Sequence, residues 1–181
     1  MQRHAFTVLA GVLALTGCAR RDIPPPDAAA SQRSGLKSGQ PLQFQVKRYP
    51  GGESYDIASD RGSVVVLDVW ATWCEPCKDA LPYYQDLANE YAAQGLKVYA
   101  LNIDEDARAI PTFLEETKVT LPILVDQNAQ VAERTLKVRG MPTTYFIDRK
   151  GRVRHVHEGF AEEFLAKYQT ELEALLAEPS P

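Results

Sequence analysis

Two cysteines three positions apart, Cys74 and Cys77, stand between a long apolar run and the start of a helical pattern. At such a junction the free backbone N–H groups and the positive end of the helix dipole favour a thiolate on the first cysteine. The second falls one turn on, close enough to close a disulfide with it. A pair of this kind suits dithiol exchange, in which Cys74 attacks a substrate disulfide and Cys77 resolves the mixed disulfide. Asp68 lies six residues upstream within Val-Val-Val-Leu-Asp-Val-Trp. A carboxyl group buried there ionises at a cost, so its pKa rises, and it becomes a proton acceptor suited to the resolving thiol. The plainer alternative is an Asp at a strand end or facing an exposed groove. Pro76 pre-sets the helix start. Glu75 adds negative charge near Cys74, which opposes thiolate formation and points toward a reductant. Trp70 and Trp73 flank the pair, one as core and one as groove wall.

The elements that must position these groups follow from pattern and punctuation. Leu42–Val46 alternates apolar and polar residues, as a half-buried strand does. Tyr49-Pro50-Gly51-Gly52 is a turn, with Ser54–Ile57 as the returning arm of a hairpin. Ser63–Trp70 is a nearly continuous β-branched run, which suits a strand buried on both faces. A helix spans Glu75–Ala93, with Pro82 inside it as a kink and Gly95 just past its end. Further strands are expected at Leu96–Ile103 and Leu121–Val125, and further helices at Asp106–Lys118 and Ala129–Lys137. Thr143–Ile147 and Arg152–His157 read as an antiparallel pair around Asp148-Arg149-Lys150-Gly151, and Phe160–Ala177 as a closing amphipathic helix. This order predicts an α/β domain with a mixed central sheet flanked by helices.

The run from Val64 to Lys78, with Trp70-Ala71-Thr72-Trp73-Cys74-Glu75-Pro76-Cys77 at its centre, resembles the active-site strand and helix of the thioredoxin superfamily. It is most similar to the TlpA/ResA-like branch, thiol–disulfide oxidoreductases tethered to membranes outside the cytoplasm. Gly140-Met141-Pro142-Thr143 matches the cis-proline loop of that family. The resemblance implies a thioredoxin fold with an N-terminal β-hairpin and an inserted helix and strand within Glu105–Val138. It implies that Cys74, Cys77 and Asp68 are catalytic, and that Trp73, Met141, Pro142 and Thr143 bind substrate. Pro142 would be cis and pack against the disulfide, while the Met141 backbone pairs with an extended substrate segment. Two departures bear on proton handling. The lysine that thioredoxin carries beside its buried acid is matched here by Ala100, and the glutamate common three residues after the second cysteine in ResA-like members is matched by Ala80. No cofactor is implied beyond the Cys74–Cys77 disulfide.

The N-terminus reads as an address. A weakly basic start (Met1, Arg3, His4) leads into the 12 apolar-patterned residues Ala5–Thr16. That run is shorter than the ~20 residues a spanning helix needs, and the arrangement is that of a secretory signal. Leu15-Thr16-Gly17-Cys18 resembles the lipobox of bacterial lipoproteins, which implies removal of residues 1–17 and lipidation of Cys18. An ordinary signal peptide with a stray cysteine is the alternative. Residues 18–40, with Pro24-Pro25-Pro26, form a linker reaching roughly 70 Å if extended, and 41–181 form the thioredoxin-like domain. Ala19 in place of Asp after the lipidated cysteine matches sorting to an outer membrane. Such a location strains the reach to an inner-membrane electron donor.

Several function classes fall away. A formal charge of −4 leaves no electrostatic footprint for nucleic acid, and three cysteines are too few for a disulfide scaffold. Lys78 after Cys77 breaks the haem-attachment pattern. Thr72 stands only two residues before Cys74, so a Thr-x-x-Cys peroxidase pattern fails. His155 and His157 share a strand face, read as a solvated face rather than as zinc ligands. Asp104-Glu105-Asp106 most simply favours a helix start. The expected protein is a monomeric, membrane-anchored periplasmic oxidoreductase. It would reduce disulfides of exported proteins such as apocytochrome c, with electrons from a membrane thiol transporter. An oxidase or isomerase, or a metal-binding thiol chaperone, stands as the alternative.

Overall fold

The computed structural model describes residues 41–180 together with Leu36 and Gly39. The signal segment 1–17, the Cys18 lipidation site and nearly all of the linker lie outside the described residues. Seven strands form one sheet in the order β2-β1-β5-β4-β3-β6-β7. They are β1 (Gln45–Tyr49), β2 (Ser54–Asp56), β3 (Val64–Trp70), β4 (Leu96–Asn102), β5 (Ile123–Val125), β6 (Thr143–Ile147) and β7 (Val153–Glu158). Among the described residues three α-helices accompany them: α1 (Cys77–Tyr91), α2 (Ile110–Thr117) and α3 (Leu165–Leu176).

All seven residues of β3 are buried, as its unbroken apolar run demands of a central strand. It pairs parallel with β4 and antiparallel with β6. Side chains alternate across the sheet. Val64, Val66 and Trp70 therefore join the core shared with α1 and α3, and Val65, Leu67 and Val69 join a second core on the opposite face. Helix α1 buries Cys77, Leu81, Tyr84, Leu87 and Tyr91, a stripe at helical spacing. Pro82 lies within α1 without ending it. The helical run closes through a 3₁₀ turn, Ala92–Gln94, onto Gly95, whose φ of 86° suits a residue without a side chain.

Three expected elements differ. Leu42 and Phe44 alternate into the core as their pattern predicts, yet the ladder begins only at Gln45. Upstream of it the Leu42 N–H donates to Gly151 O, and Phe44 O accepts from Ile57 N–H. The segment expected as a helix over Ala129–Lys137 is a 3₁₀ turn at Gln127–Ala129 followed by a π turn at Ala132–Leu136. Its backbone is satisfied from outside, which removes the need for an α ladder. Asp126 Oδ2 accepts from Ala132 N–H at 2.8 Å, and Tyr145 OH donates to Leu136 O at 2.8 Å. The C-terminal helix begins at Leu165 rather than at Phe160, because Phe160 instead packs beside Tyr83 and Tyr84.

Candidate active site

The end of β3 delivers the chain to a short loop, Ala71–Pro76, and α1 starts at Cys77. Two clamps from the end of β4 hold that loop. Ile103 N–H donates to Trp70 O at 3.0 Å, and the Asp104 carboxylate accepts from Thr72 N–H at 3.0 and 3.2 Å. Asn102 braces Asp104 in turn, with its Nδ2 donating at 2.8 Å. Asp104 therefore positions the cysteine loop rather than favouring a helix start; Asp106 takes that part, accepting from Arg108 N–H at the 3₁₀ turn Ala107–Ala109. We expect Asp104→Ala to lower stability by about 1–3 kcal/mol, the cost of leaving the amides of Thr72 and Asn102 unpaired. Urea unfolding of the oxidised protein measures it, and an unchanged midpoint would remove the clamp.

Cys74 and Cys77 are joined as a disulfide, with Cα atoms 5.4 Å apart. Their burial differs. Cys77, the first residue of α1, is wholly enclosed, whereas Cys74 keeps 5% exposure and lines a cleft of about 530 Å³. Glu75, Pro76, Met141 and Arg139 line the same cleft. Trp73 forms its outer wall and, at 71% exposure, is the large apolar side chain left open among the described residues. Trp70 is fully buried against Phe113. Glu75 reaches Lys78 Nζ at 3.1 Å, so its charge beside Cys74 is partly balanced by a neighbour.

The Met141–Pro142 peptide is cis, as the resemblance implies, and a second cis bond, Tyr49–Pro50, sits in the first hairpin turn. Met141 lines the cleft with Cys74. Thr143 does not: it is 1% exposed, and its hydroxyl donates to Gly140 O at 2.6 Å. Its side chain braces the loop from within, so of the four residues expected to bind substrate Met141 and Trp73 line the cleft. Pro142 is likewise buried, and its carbonyl accepts from Gly159 N–H at 2.8 Å.

Asp68 is fully buried on the sheet face that carries Val66 and Trp70, the face covered by α1 and Cys77. Burial pushes its carboxyl up to about 7, against a partial lowering by the hydrogen bond from Thr144. Thr144 Oγ1 donates to Asp68 Oδ1 at 2.7 Å, while Oδ2 has no hydrogen-bond partner. The β4 residue opposite Asp68 is Ala100, so the position of the missing lysine is that expected from the sequence.

Sequence reasoning missed three polar groups near this acid. Thr144 and His157 become visible only once β6 and β7 are placed in register beside β3. Tyr84 falls on the buried stripe of α1, a signal that spacing from Cys77 carries. The solvated face expected for the two histidines is not observed. His157 is 1% exposed because α3 covers it, and its Nε2 lies 2.9 Å from Glu171 Oε2. His155 Nδ1 stands 3.4 Å from the other oxygen of the same carboxylate.

A family model described as the AhpC/TSA family matches residues 39–156. The chain belongs to the AhpC/TSA family. Its likeness within the thioredoxin superfamily is to ResA. It is 39% identical over 115 residues to the thiol-disulfide oxidoreductase ResA of Oceanobacillus iheyensis, an alignment covering 64% of this chain and 59% of that protein. It is 31% identical to the ResA of Halalkalibacterium halodurans over 140 residues, covering 75% and 79% of the two chains. Against the first of these relatives the chain spans about three fifths of the length. Among solved structures it superposes on a Chlorobium tepidum protein described as a thiol:disulfide interchange protein DsbE. That match has a TM-score of 0.73 and 31% identity and covers 78% of this chain and 99% of the other. This AhpC/TSA member thus has the thioredoxin fold expected of it, with a ResA-like sequence around its cysteines. Among its described residues no helix is long and apolar enough to cross a membrane.

Proposed function

We propose that this chain is a thiol–disulfide oxidoreductase working outside the cytoplasm, tethered through a lipidated Cys18, that reduces disulfides of exported proteins such as apocytochrome c. The observation that carries the reading is the asymmetry of the pair: Cys74 opens onto the cleft beside Trp73 and Met141, and Cys77 is sealed beneath it. In the reduced protein the Cys74 thiolate attacks one sulfur of a substrate disulfide. A substrate–Cys74 disulfide forms and one substrate thiolate leaves. Cys77 then gives its proton to the Asp68 carboxylate and attacks Cys74 Sγ, expelling the second substrate thiolate and closing the Cys74–Cys77 disulfide. Two electrons pass from the dithiol to the substrate. A membrane dithiol carrier returns them by the reverse exchange.

Support comes from the names of the relatives, which are thiol-disulfide oxidoreductases, and from the cleft of about 530 Å³ onto which Cys74 opens. An apolar wall at Trp73 and a cis-proline loop opposite suit a polypeptide substrate. The opposite direction, oxidation or isomerisation, uses the same residues, and the reduction potential separates the two. Equilibration of fragment 19–181 in defined thiol buffers is expected to give a value near or below ~−250 mV, on the thioredoxin side of the scale. A value above ~−180 mV overturns the reductase direction.

A further inference from the structure

We propose that the end of the domain opposite the cysteines, built around Arg61, Lys150 and Arg152, is a seat for an anionic phospholipid surface, which holds the Cys74 cleft facing away from the membrane. The inference rests on the tethered reading above and adds to it the orientation in which the domain works.

Charge is the first observation. Residues 41–181 hold 15 Lys and Arg against 22 Asp and Glu, so the domain as a whole is acidic. Yet six of those cations, Arg61, Lys97, Arg149, Lys150, Arg152 and Arg154, gather where β3 and β4 begin and where β6 turns into β7. Three acids at this end are already engaged. Asp60 is buried and holds Lys97 Nζ at 2.7 Å. Asp148 is buried, accepts from the N–H groups of Lys150 and Arg152 at 2.9 Å, and has Arg154 Nη1 at 3.4 Å. Glu178 meets the same Arg154 nitrogen at 2.6 Å. Arg61, Lys150 and Arg152 are left over: all three are exposed, and among the described residues none of them makes an ion pair. The Asp56 carboxyl is lowered first by the Ala58 N–H, then by Gln45, and least by Arg61.

The second observation is where the chain enters. Pro41, just past the linker, bridges to Arg152, and the Leu42 N–H donates to Gly151 O at 2.8 Å. A side chain built on Gly151 would stand 3.7 Å from Arg61 Nε and 3.9 Å from Pro41 Cβ, so the cations and the entry point share one surface. The platform under them is firm. Arg149 donates to the carbonyl groups of Gly62, Gln94 and Leu176 at 3.0, 3.2 and 3.1 Å, and Gly62 N–H donates to Arg149 O at 2.7 Å. The segment between Cys18 and Pro41 carries Arg20, Arg21, Arg33 and Lys37 against Asp22 and Asp27. A lipid on Cys18 therefore brings a basic tether and, at its end, a basic face to the same surface.

The sheet fixes what points away. β3 leaves the basic end at Val64 and reaches the cysteine loop after Trp70. β6 runs the other way, from the cis-proline loop to Ile147 and the 148–151 turn. At ~3.3 Å per residue a strand as long as β3 spans roughly 20 Å. Phosphate headgroups at Arg61, Lys150 and Arg152 therefore leave Cys74, Trp73 and Met141 on the aqueous side. Exported polypeptides reach that cleft freely. A membrane dithiol carrier reaches it by projecting its own thiols that far above the bilayer, or when the domain lifts from its seat. Attraction of this kind is screened by salt and falls off within a Debye length of about 8–10 Å, so the seat is reversible.

The test is sedimentation of chain 19–181, which lacks the lipid and holds every described residue, with vesicles of phosphatidylcholine with or without phosphatidylglycerol. Binding is expected only with the anionic lipid, and it should fall as salt rises to ~0.15 M. The combined Arg61→Gln, Lys150→Gln and Arg152→Gln variant should bind on the order of 100-fold more weakly, at about fivefold per cation near the surface. Its exchange with glutathione disulfide should match that of the wild type, which shows the fold intact. A second variant, Lys47→Gln with Arg134→Gln and Lys137→Gln, removes the same charge elsewhere and should lose far less. Orientation is read by acetylation of lysines on saturating vesicles. Anionic vesicles should protect Lys150, whereas Lys78, beside Cys77, should label as it does on phosphatidylcholine alone. Equal loss of binding in the two variants, or protection of Lys78 in place of Lys150, overturns the seat. Absence of binding to anionic vesicles at low salt overturns it as well. The tether is read apart, on the intact mass of the chain purified from membranes: an unlipidated Cys18 overturns that reading and leaves the vesicle results to decide the seat.

Discussion

Cys74→Ser is expected to lower disulfide exchange by about 10³-fold or more, the scale on which an enzyme loses its nucleophile. Cys77→Ser is expected to leave the first attack intact and to arrest the protein as a mixed disulfide. The difference follows from burial. Cys74 has an open side on the cleft, and Cys77 has none. A substrate sulfur can reach the first and not the second. Intact-mass measurement after incubation with glutathione disulfide reads the outcome directly: Cys77→Ser gains one stable glutathione adduct, and Cys74→Ser gains none. The reverse pattern would exchange the roles of the two cysteines and would require α1 to open at its first turn.

Asp68→Asn is expected to stabilise the oxidised protein at about pH 8 by an amount on the order of 4 kcal/mol, from the rise of its carboxyl to about 7 from an ordinary value of 3.8. The unfolded chain releases this proton near pH 4 and the folded protein only near pH 7. Between those values the folded state holds a proton that the unfolded state has lost, so stability falls as pH rises through the window. Above it the full penalty of an enclosed carboxylate remains, and below it the penalty disappears. Asn carries no such proton, so the variant should lose this slope and gain most at the alkaline end. Urea unfolding of both proteins at about pH 4 and about pH 8 checks the sign. A wild type whose stability does not fall across that interval would mean that Asp68 is ionised at little cost. The same variant should slow resolution by Cys77, because the proton acceptor is gone.

What was legible in the sequence is what local pattern controls. The β-branched run of β3 has one reading as a central strand, and the spacing of Cys74 from Cys77 has one reading at a helix start. Gly95 after α1 is the glycine that a left-handed residue requires. Where a segment's backbone takes its hydrogen bonds from side chains outside the segment, pattern fails. Residues 129–137 carry a helical periodicity, but the Asp126 carboxylate and the Tyr145 hydroxyl capture their backbone groups, and a π turn results. Thr143 and Thr144 are adjacent and chemically alike, yet one braces the cis-proline loop and the other reaches Asp68, a difference set by strand alternation. His157 looks like a surface residue until α3, which begins eight residues later, is laid over it. The family resemblance supplied the cis-proline loop, which local reasoning would have drawn as trans.

The position of β3 between β4 and β6 also has a consequence for how the polypeptide acquires its chemistry. Its parallel neighbour follows after one helix, but β6 comes from far along the chain, and the Thr144–Asp68 hydrogen bond joins residues 76 positions apart. Closing so long a loop costs entropy that local contacts do not, and pairings of this kind form late. Cys74 and Cys77, by contrast, are neighbours from the moment both have been synthesised. A chain emerging from the ribosome therefore has its two thiols side by side before it has the Asp68–Thr144 pair. During that interval it is a simple dithiol, and the hydrogen-bonded carboxyl of Asp68 joins it only when the C-terminal third has docked.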